Sequence, residues 1–309
     1  MRVLVLGSAA GGGFPQWNCN CRVCRAARDG DGRALARTQS SLAVSADGER
    51  WVLLNASPDL RQQITDNRPL HPKTEARHSP ITAVVLTNAD VDHIAGLLTL
   101  RESQPFVLYA SGRVHDALDA NPIFRILNPQ FVRREALPLG QPLALQDSDG
   151  EEIGLTVEPF AVPGKIALYL EDPDAGDNFG TREGDTIGLC VSQPAAGKRF
   201  FYIPGCAALD APLVERLAGA PLVLFDGTLF ENQEMVTGGL GHKTGARMGH
   251  LNVSGPDGSM AAFEGLGVGR RIYIHINNSN PVLLEDSPER AAVEAAGWEV
   301  AYDGQEIVL

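Results

Sequence analysis

Two short segments hold residues whose types and spacing could do chemistry. Cys19, Cys21 and Cys24 form a C-x-C-x-x-C run, and a loop with that spacing can turn three thiolates onto one tetrahedral zinc. Three sulfurs would leave a closed site, so the expectation is a structural zinc that pins a loop, not a redox centre. The second segment is Thr87-Asn88-Ala89-Asp90-Val91-Asp92-His93. Asp90, Asp92 and His93 stand between a strand-like run and a helix-like one, where a turn lets neighbouring side chains converge. Oxygen and imidazole ligands this close suit zinc, manganese or iron. A second reading stands beside the first, in which Asp92 caps the helix that starts near His93.

The elements that must position these residues are mostly strands. RVLVLGS reads as a buried strand, and QSSLAVSADGERWVLLNAS alternates around a DG turn, the signature of a hairpin. PDLRQQI reads as a short helix. ITAVVLTNADVDHIAGLLTLRES gives a buried strand, a polar loop and an amphipathic helix. FVLYAS, IGLTVEPFAV, IGLCVSQ, KRFFYIPG, LVLFDGT and GVGRRIYIHIN follow as strands, then a helix at SPERAAVEAAG and the strands WEVAYD and QEIVL. The Gly-rich AAGGGFPQ is no nucleotide loop, since it lacks GK[ST] and no helix is expected after it. Many strands with few helices predict two packed sheets with helices outside, in one domain spanning 1–309 with a cysteine loop at about 15–30.

Composition narrows the function classes. The 309 residues are 44% hydrophobic and carry a formal net charge of −12, which supports a sizeable core and argues against a nucleic-acid binder. No apolar run reaches the roughly 18 residues of a membrane span, and the expected location is cytoplasmic. Five cysteines, an odd number with three of them clustered, fit metal binding in a reducing compartment better than a disulfide framework. Cys190 and Cys206 lie beside strand-like runs, where a thiol is usually buried packing. His71, His78, His115 and His242 have no evident partner. Lys243 and Arg247 share a Gly-rich segment that could form a cationic pocket wall or an exposed loop.

The strand, the loop and the DHIAGLLTL helix resemble the metallo-β-lactamase superfamily, whose motif H-x-H-x-D-H appears here as N-x-D-x-D-H. GSAAGGGFPQWNCNCRVC, GHLNVSG and IYIHINNSNP extend the resemblance over essentially the whole chain. They resemble in particular the branch of that superfamily that serves pyrroloquinoline quinone (PQQ) biosynthesis. The resemblance implies an α+β fold, an αββα sandwich of two mixed sheets. It also implies a degraded site for one metal: Asn88 and Asp90 replace the first two motif histidines, and AVPGKIALYL offers no later one. Cys206 in YIPGCAALD stands where a metal-bridging aspartate is usual. The other metal position is implied to survive as Asp92, His93 and His275.

Two histidines and one carboxylate with open positions are the ligand set of non-haem Fe(II) oxygenases. The resemblance therefore implies Fe2+ and O2 acting on a small-molecule or short-peptide precursor of PQQ, derived from glutamate and tyrosine, by hydroxylating the tyrosine-derived ring. Asp90 would be a further ligand or would orient a bound water, and His250 would move protons. Lys243 and Arg247 would meet substrate carboxylates. Asn278 stands where cysteine-zinc relatives carry the histidine that completes their structural zinc, so it is the candidate fourth ligand. The alternative is a soluble carrier of PQQ or its precursor towards the periplasm, and a zinc hydrolase is the third reading. Other pathway proteins are expected partners, and a homodimer is compatible with all three.

Overall fold

The computed structural model describes residues 1–309. Its strands are β1 (Arg2–Gly7), β2 (Ser41–Ser45), β3 (Trp51–Leu54), β4 (Ile81–Val85), β5 (Phe106–Ala110), β6 (Val132–Ala136), β7 (Leu143–Gln146), β8 (Glu152–Ala161), β9 (Ile187–Gln193), β10 (Lys198–Ile203), β11 (Leu222–Asp226), β12 (Arg270–Ile274), β13 (Trp298–Val300) and β14 (Glu306–Val308). They form two seven-stranded sheets, ordered β14-β1-β2-β3-β4-β5-β6 and β13-β12-β11-β10-β9-β8-β7. Each sheet is antiparallel on one side and parallel on the other: β3 to β6 run parallel in the first, β10 to β13 in the second.

Side-chain patterning explains the layering. The parallel strands are buried on both faces, which is why ITAVV, FVLYA and LVLFD read as nearly unbroken apolar runs. Val85, Tyr109, Leu189, Tyr202 and Leu224 pack between the sheets. Two further apolar clusters lie outside, each under helices of one flank. Each fully buried Val or Leu contributes about 1.5–3 kcal/mol. The αββα sandwich expected from the sequence is the observed fold. The hairpin around Asp47-Gly48 forms with Leu42 opposite Leu54 and Val44 opposite Val52.

Some local expectations change. The helix after the metal-candidate loop is one α-turn, Val91–Ile94, followed by a tighter 3₁₀ segment, Ala95–Leu100. Gly96 presses so closely on the preceding loop that a Cβ there would lie 2.1 Å from the Ser57 carbonyl oxygen. A helix does follow the Gly-rich turn, Arg22–Arg28, and Cys21 caps it by accepting the Cys24 N–H at Sγ, 3.4 Å away. β6 was not legible because its burial is partial and its middle is Arg133-Arg134-Glu135.

Candidate metal centre

The site forms where the parallel halves of both sheets end. The first sheet sends residues 86–93 out of the carboxyl end of β4, and the second contributes Asp226 at the end of β11 and His275 just after β12. Carboxyl ends of parallel strands are the usual ligand crevice of such sheets. A cavity of about 310 Å³ opens there, lined by Asn88, Asp90, Asp92, His93, Lys165, Lys243, His250 and His275 among others. An isolated bridge between Asn88 and Thr186 ties the loop to the second sheet.

Asp92, His93 and His275 bring one ligand atom each to within 4.8 Å of one another. Asp92 is not a helix cap: the cap position is Asp90, whose side chain makes no capping bond. The Asp92 carboxylate instead lies 3.0 Å from His275 Nε2 and 3.8 Å from His93 Nε2. Burial opposes its charge, but the two histidines outweigh burial and hold the carboxyl well below the usual range. Asp90, at the cavity edge, is shifted the other way by burial and then by the Asp92 charge. Its Oδ1 accepts the Leu168 N–H.

The donor set fits a metal on two counts. His93 Nδ1 lies 2.7 Å from Asn88 Oδ1, which also accepts the Asp90 N–H, so this amide oxygen is an acceptor and Nδ1 carries the proton. Burial lowers the His93 pKa to about 4, leaving a neutral ring whose buried Nε2 lone pair has no partner. An orphaned buried acceptor costs roughly 1–3 kcal/mol. For His275, the hub is Thr228 Oγ1. Its single proton goes to acceptors, Asp226 Oδ1 at 2.6 Å or the His275 carbonyl at 2.9 Å, so His275 Nδ1 donates to Thr228 at 2.8 Å. His275 Nε2 and the Asp92 carboxylate face each other at 3.0 Å, where one cation can be shared by both. His275 sits in the left-handed region, φ 59°, a conformation uncommon for such residues and kept where surroundings over-determine it.

Asn88, at the first histidine position of the superfamily motif, thus holds a candidate ligand, His93, through its amide oxygen. Outer-shell partners of this kind are worth roughly 10–100-fold in metal affinity. Asn88→Leu is expected to weaken the active-site metal by about that factor with the fold intact, measured by chelator competition. Unchanged affinity would remove Asn88 from the site.

Behind the ligands, His250 Nδ1–H donates to Asp226 Oδ2 at 2.6 Å. Burial disfavours the imidazolium, but the Asp226 carboxylate outweighs it and raises the His250 pKa. Asp226 is itself held low, since the His250 charge outweighs burial. Asp226 also accepts the Thr228 N–H and hydroxyl at Oδ1 and the Cys206 N–H at Oδ2, 2.9 Å away. The Cys206 thiol turns away to the Ala208 carbonyl, and burial pushes its pKa up.

The cationic residues divide. Lys243 lines the cavity, its ammonium destabilised by burial and by neighbouring Lys165. Arg247 instead makes a two-pronged pair with Glu171, its guanidinium carbon 3.7 Å from the centre of the Phe179 ring, in an adjoining cavity. Glu171 also accepts from Lys165, and these bonds hold its carboxyl well below the usual range.

On the far side, Cys19, Cys21 and Cys24 bring their sulfurs to within 4.8 Å of one another. The Asn278 carbonyl oxygen is 3.8 Å from the sulfurs of Cys21 and Cys24, its Nδ2 is 3.3 Å from Cys24 Sγ, and its buried Oδ1 has no partner. Three thiols beside unclaimed oxygen lone pairs suit zinc.

Beneath the turn that carries His275, Glu234 accepts the Phe230 N–H at 2.7 Å and the Ser279 hydroxyl. Burial pushes its carboxyl from an ordinary 4.5 up to about 7. The folded state keeps a proton that the unfolded chain has lost between those values, so this group's contribution to stability falls as pH rises through that window. Glu234→Gln is expected to gain on the order of 1–3 kcal/mol over the parent at pH 8 and little at pH 4.5. An equal difference in Tm at both pH values would refute the buried proton.

Sequence reading missed Asp226, Thr228, Lys165 and Glu171. Asp226 had a signal, a carboxylate closing the buried run LVLFDGT, and Lys165 lay in a segment searched only for histidine. His71, His78 and His115 bond locally to the Thr65 carbonyl, the Lys73 N–H and the Glu135 carbonyl, and His242 is exposed.

Comparison with known proteins places the chain in a family. Residues 50–276 match the family model described as Beta-lactamase superfamily domain. The chain is 53% identical over 304 residues to coenzyme PQQ synthesis protein B of Methylorubrum populi, covering 98% of each chain. It is 54% identical over 310 residues to that of Xanthomonas oryzae pv. oryzae, covering 100% of each. The Zn(2+)-bound PqqB structure from Methylobacterium extorquens superposes with a TM-score of 0.93 at 51% identity, covering 100% of both chains. A diphosphatase of the PhnP family, at 20% identity and a TM-score of 0.68, covering 100% of this chain and 97% of its own, shares the fold. At this identity over its full length, and with the same fold, the chain belongs to the coenzyme PQQ synthesis protein B family of the metallo-β-lactamase superfamily.

Proposed function

We propose that this protein serves PQQ biosynthesis as an Fe(II)- and O2-dependent hydroxylase of the tyrosine-derived ring in a Glu-Tyr-derived precursor. The observation that carries the reading is the ligand inventory of one cavity. Asp92, His93 and His275 converge on one side, while Asn88 and Asp90 replace the motif histidines on the other. Iron bound to two imidazoles and a carboxylate supplies the activation of O2 that ring hydroxylation needs. The chain does the rest. Asn88 and Thr228 hold the two histidines in the tautomers that present Nε2. His250, with Nδ1–H anchored on Asp226, keeps Nε2 to take or return a proton at the substrate. Asp90 borders the same space and would join the ligand set or orient a water. Lys243 faces the substrate, and Arg247 supports the wall through Glu171.

The thiolate loop would hold a structural zinc, completed by Asn278, and the zinc-bound relative supports metal uptake in this family. No helix of this chain is long and apolar enough to cross a membrane, so a transport role would be that of a carrier.

The test is anaerobic loading with Fe(II), then O2 uptake with a tyrosine-type precursor and an added two-electron reductant, since one oxygen atom enters the ring and the other leaves as water. Uptake is expected to be coupled to a product heavier by oxygen. No uptake beside stoichiometric, metal-independent binding of finished PQQ would replace the hydroxylase by the carrier. Phosphodiester or lactam cleavage on loading with zinc would replace it by the hydrolase.

A further inference from the structure

The superfamily hangs one of its metals on positions that here are Asn88, Asp90 and the segment AVPGKIALYL, whose one charged side chain is Lys165. Asn88, Asp90 and Lys165 line the same cavity as Asp92, His93 and His275. Asn88 and Lys165 are inverted relative to a metal site, and Asp90 is the one of the three that keeps a ligand's chemistry. Asn88 Oδ1 already accepts two bonds, so it has no lone pair to spare for an ion in the cavity. Its Nδ2 has no protein acceptor and is not among the atoms buried without a partner, so those two donors open to the cavity. Lys165 gives one donor to Glu171 and keeps the others. Lys243 lines the cavity with no hydrogen-bonded or ionic partner. Arg247, in the adjoining cavity, shares Glu171 with Lys165, so this wall sums to two positive charges beside the Asp90 and Asp92 carboxyls that line the same cavity. In a chain of net charge −12, such a wall is a local reversal of sign that draws anions. The one carboxyl among the vacated positions, Asp90, is tied at Oδ1 to the Leu168 N–H.

We propose that the vacated metal position is a subsite for a carboxylate of the substrate, bound by Asn88 Nδ2, Lys165 Nζ and Lys243 Nζ. The inference rests on the reading that Asp92, His93 and His275 hold the single active-site metal. Fixed donors then supply the positive charge that a second ion would have carried, and they do so without Lewis acidity. The substrate is an aromatic polycarboxylate, its oxidisable edge at the Asp-His-His side and a carboxylate at the lysines. A cavity of about 310 Å³ is at the lower end of the range for small-molecule sites.

The experiment is calorimetric titration of the full-length, metal-loaded protein, without O2, with PQQ as a tricarboxylate probe and its trimethyl ester as a neutral one. The parent is expected to bind the acid at least tenfold more tightly than the ester. Lys165→Gln and Lys243→Gln should each weaken the acid by roughly ten- to a hundredfold, the worth of a charge-assisted bond, with ester binding and metal content unchanged. Lys165 also holds Glu171, so Lys243→Gln, which breaks no internal pair, decides the matter. Equal affinity for acid and ester, no binding of the acid, an unaffected Lys243→Gln, or acid uptake accompanied by metal loss each overturns the subsite. O2 consumption is scored separately. Charge-dependent binding without any O2 uptake would sink the hydroxylase and leave the subsite standing, and uptake without charge discrimination would do the reverse.

Discussion

Replacing His93 by alanine is expected to empty the active-site metal position and abolish iron-dependent O2 uptake while the protein stays folded. The physical reason is the absence of redundancy. Asp92, His93 and His275 converge on that point, and the overlapping group Asp226, His250 and His275 shares only His275 with it; removing a ligand costs more than the roughly 10–100-fold of an outer-shell change. The ring is already set for binding: Nδ1 is engaged by Asn88, and Nε2 is buried without a partner. The parallel change at His275 needs a different residue. At φ 59° the native histidine belongs to the few residue types enriched in the left-handed region and alanine does not, so backbone strain in His275→Ala could imitate a functional loss. Asparagine tolerates that region better, so His275→Asn separates ligation from backbone strain. Metal content and affinity in both variants are the primary readout, with His71→Ala as the surface control. Retention of a full equivalent of tightly bound active-site metal in either variant would refute the ligand set.

The second large effect concerns the cysteine loop. Stripping zinc with a strong chelator, or making Cys21→Ser, is expected to lower Tm on the order of 10 °C. Zinc at a thousand times its Kd stabilises the folded state by about 4 kcal/mol, and about 2–4 °C per kcal/mol applies to a chain somewhat smaller than this one. Arg28, which donates to the Gln16 and Cys19 carbonyls, and the packing of Val23 and Cys24 hold the loop from its flank, and zinc would add the link among the three sulfurs. Burial and the neighbouring sulfurs raise the Cys21 pKa, and a cation reverses that by taking the thiolates as ligands. Asn278 contributes an unpartnered buried oxygen at the same place. It lies three residues after His275, so calorimetry should be paired with a count of both metals. A Cys21→Ser protein with unaltered Tm would dismiss the structural zinc.

Several elements were legible because their signals are local. The hairpin at Asp47-Gly48 follows from alternation around a turn dipeptide, and the buried strands of the parallel halves follow from unbroken apolar runs. The thiol cluster and the Asp-x-Asp-His loop were legible because their residues are neighbours in sequence. β6 was not, because a partly exposed strand with Arg133-Arg134-Glu135 at its centre has no apolar signature. The short helix at Val91–Ile94 was overestimated because what stops it, the close approach of Gly96 to the Ser57 carbonyl, is a long-range contact.

Residue types and spacing by themselves determined the donor chemistry of this protein: three thiolates in one loop, and a carboxylate-imidazole pair in another with an amide and a second carboxylate just before it. They also determined the layered β architecture, since each strand carries its own burial pattern. Which atoms are free to act was decided only by the tertiary structure. Asn88 became a support of His93, Arg247 became Glu171's partner, and Asp226 joined His250 across 24 residues of chain. The reason is that a side chain's protonation, tautomer and spare lone pairs are set by whatever stands within about 3 Å of it, and in this fold those neighbours come from the ends of two different sheets.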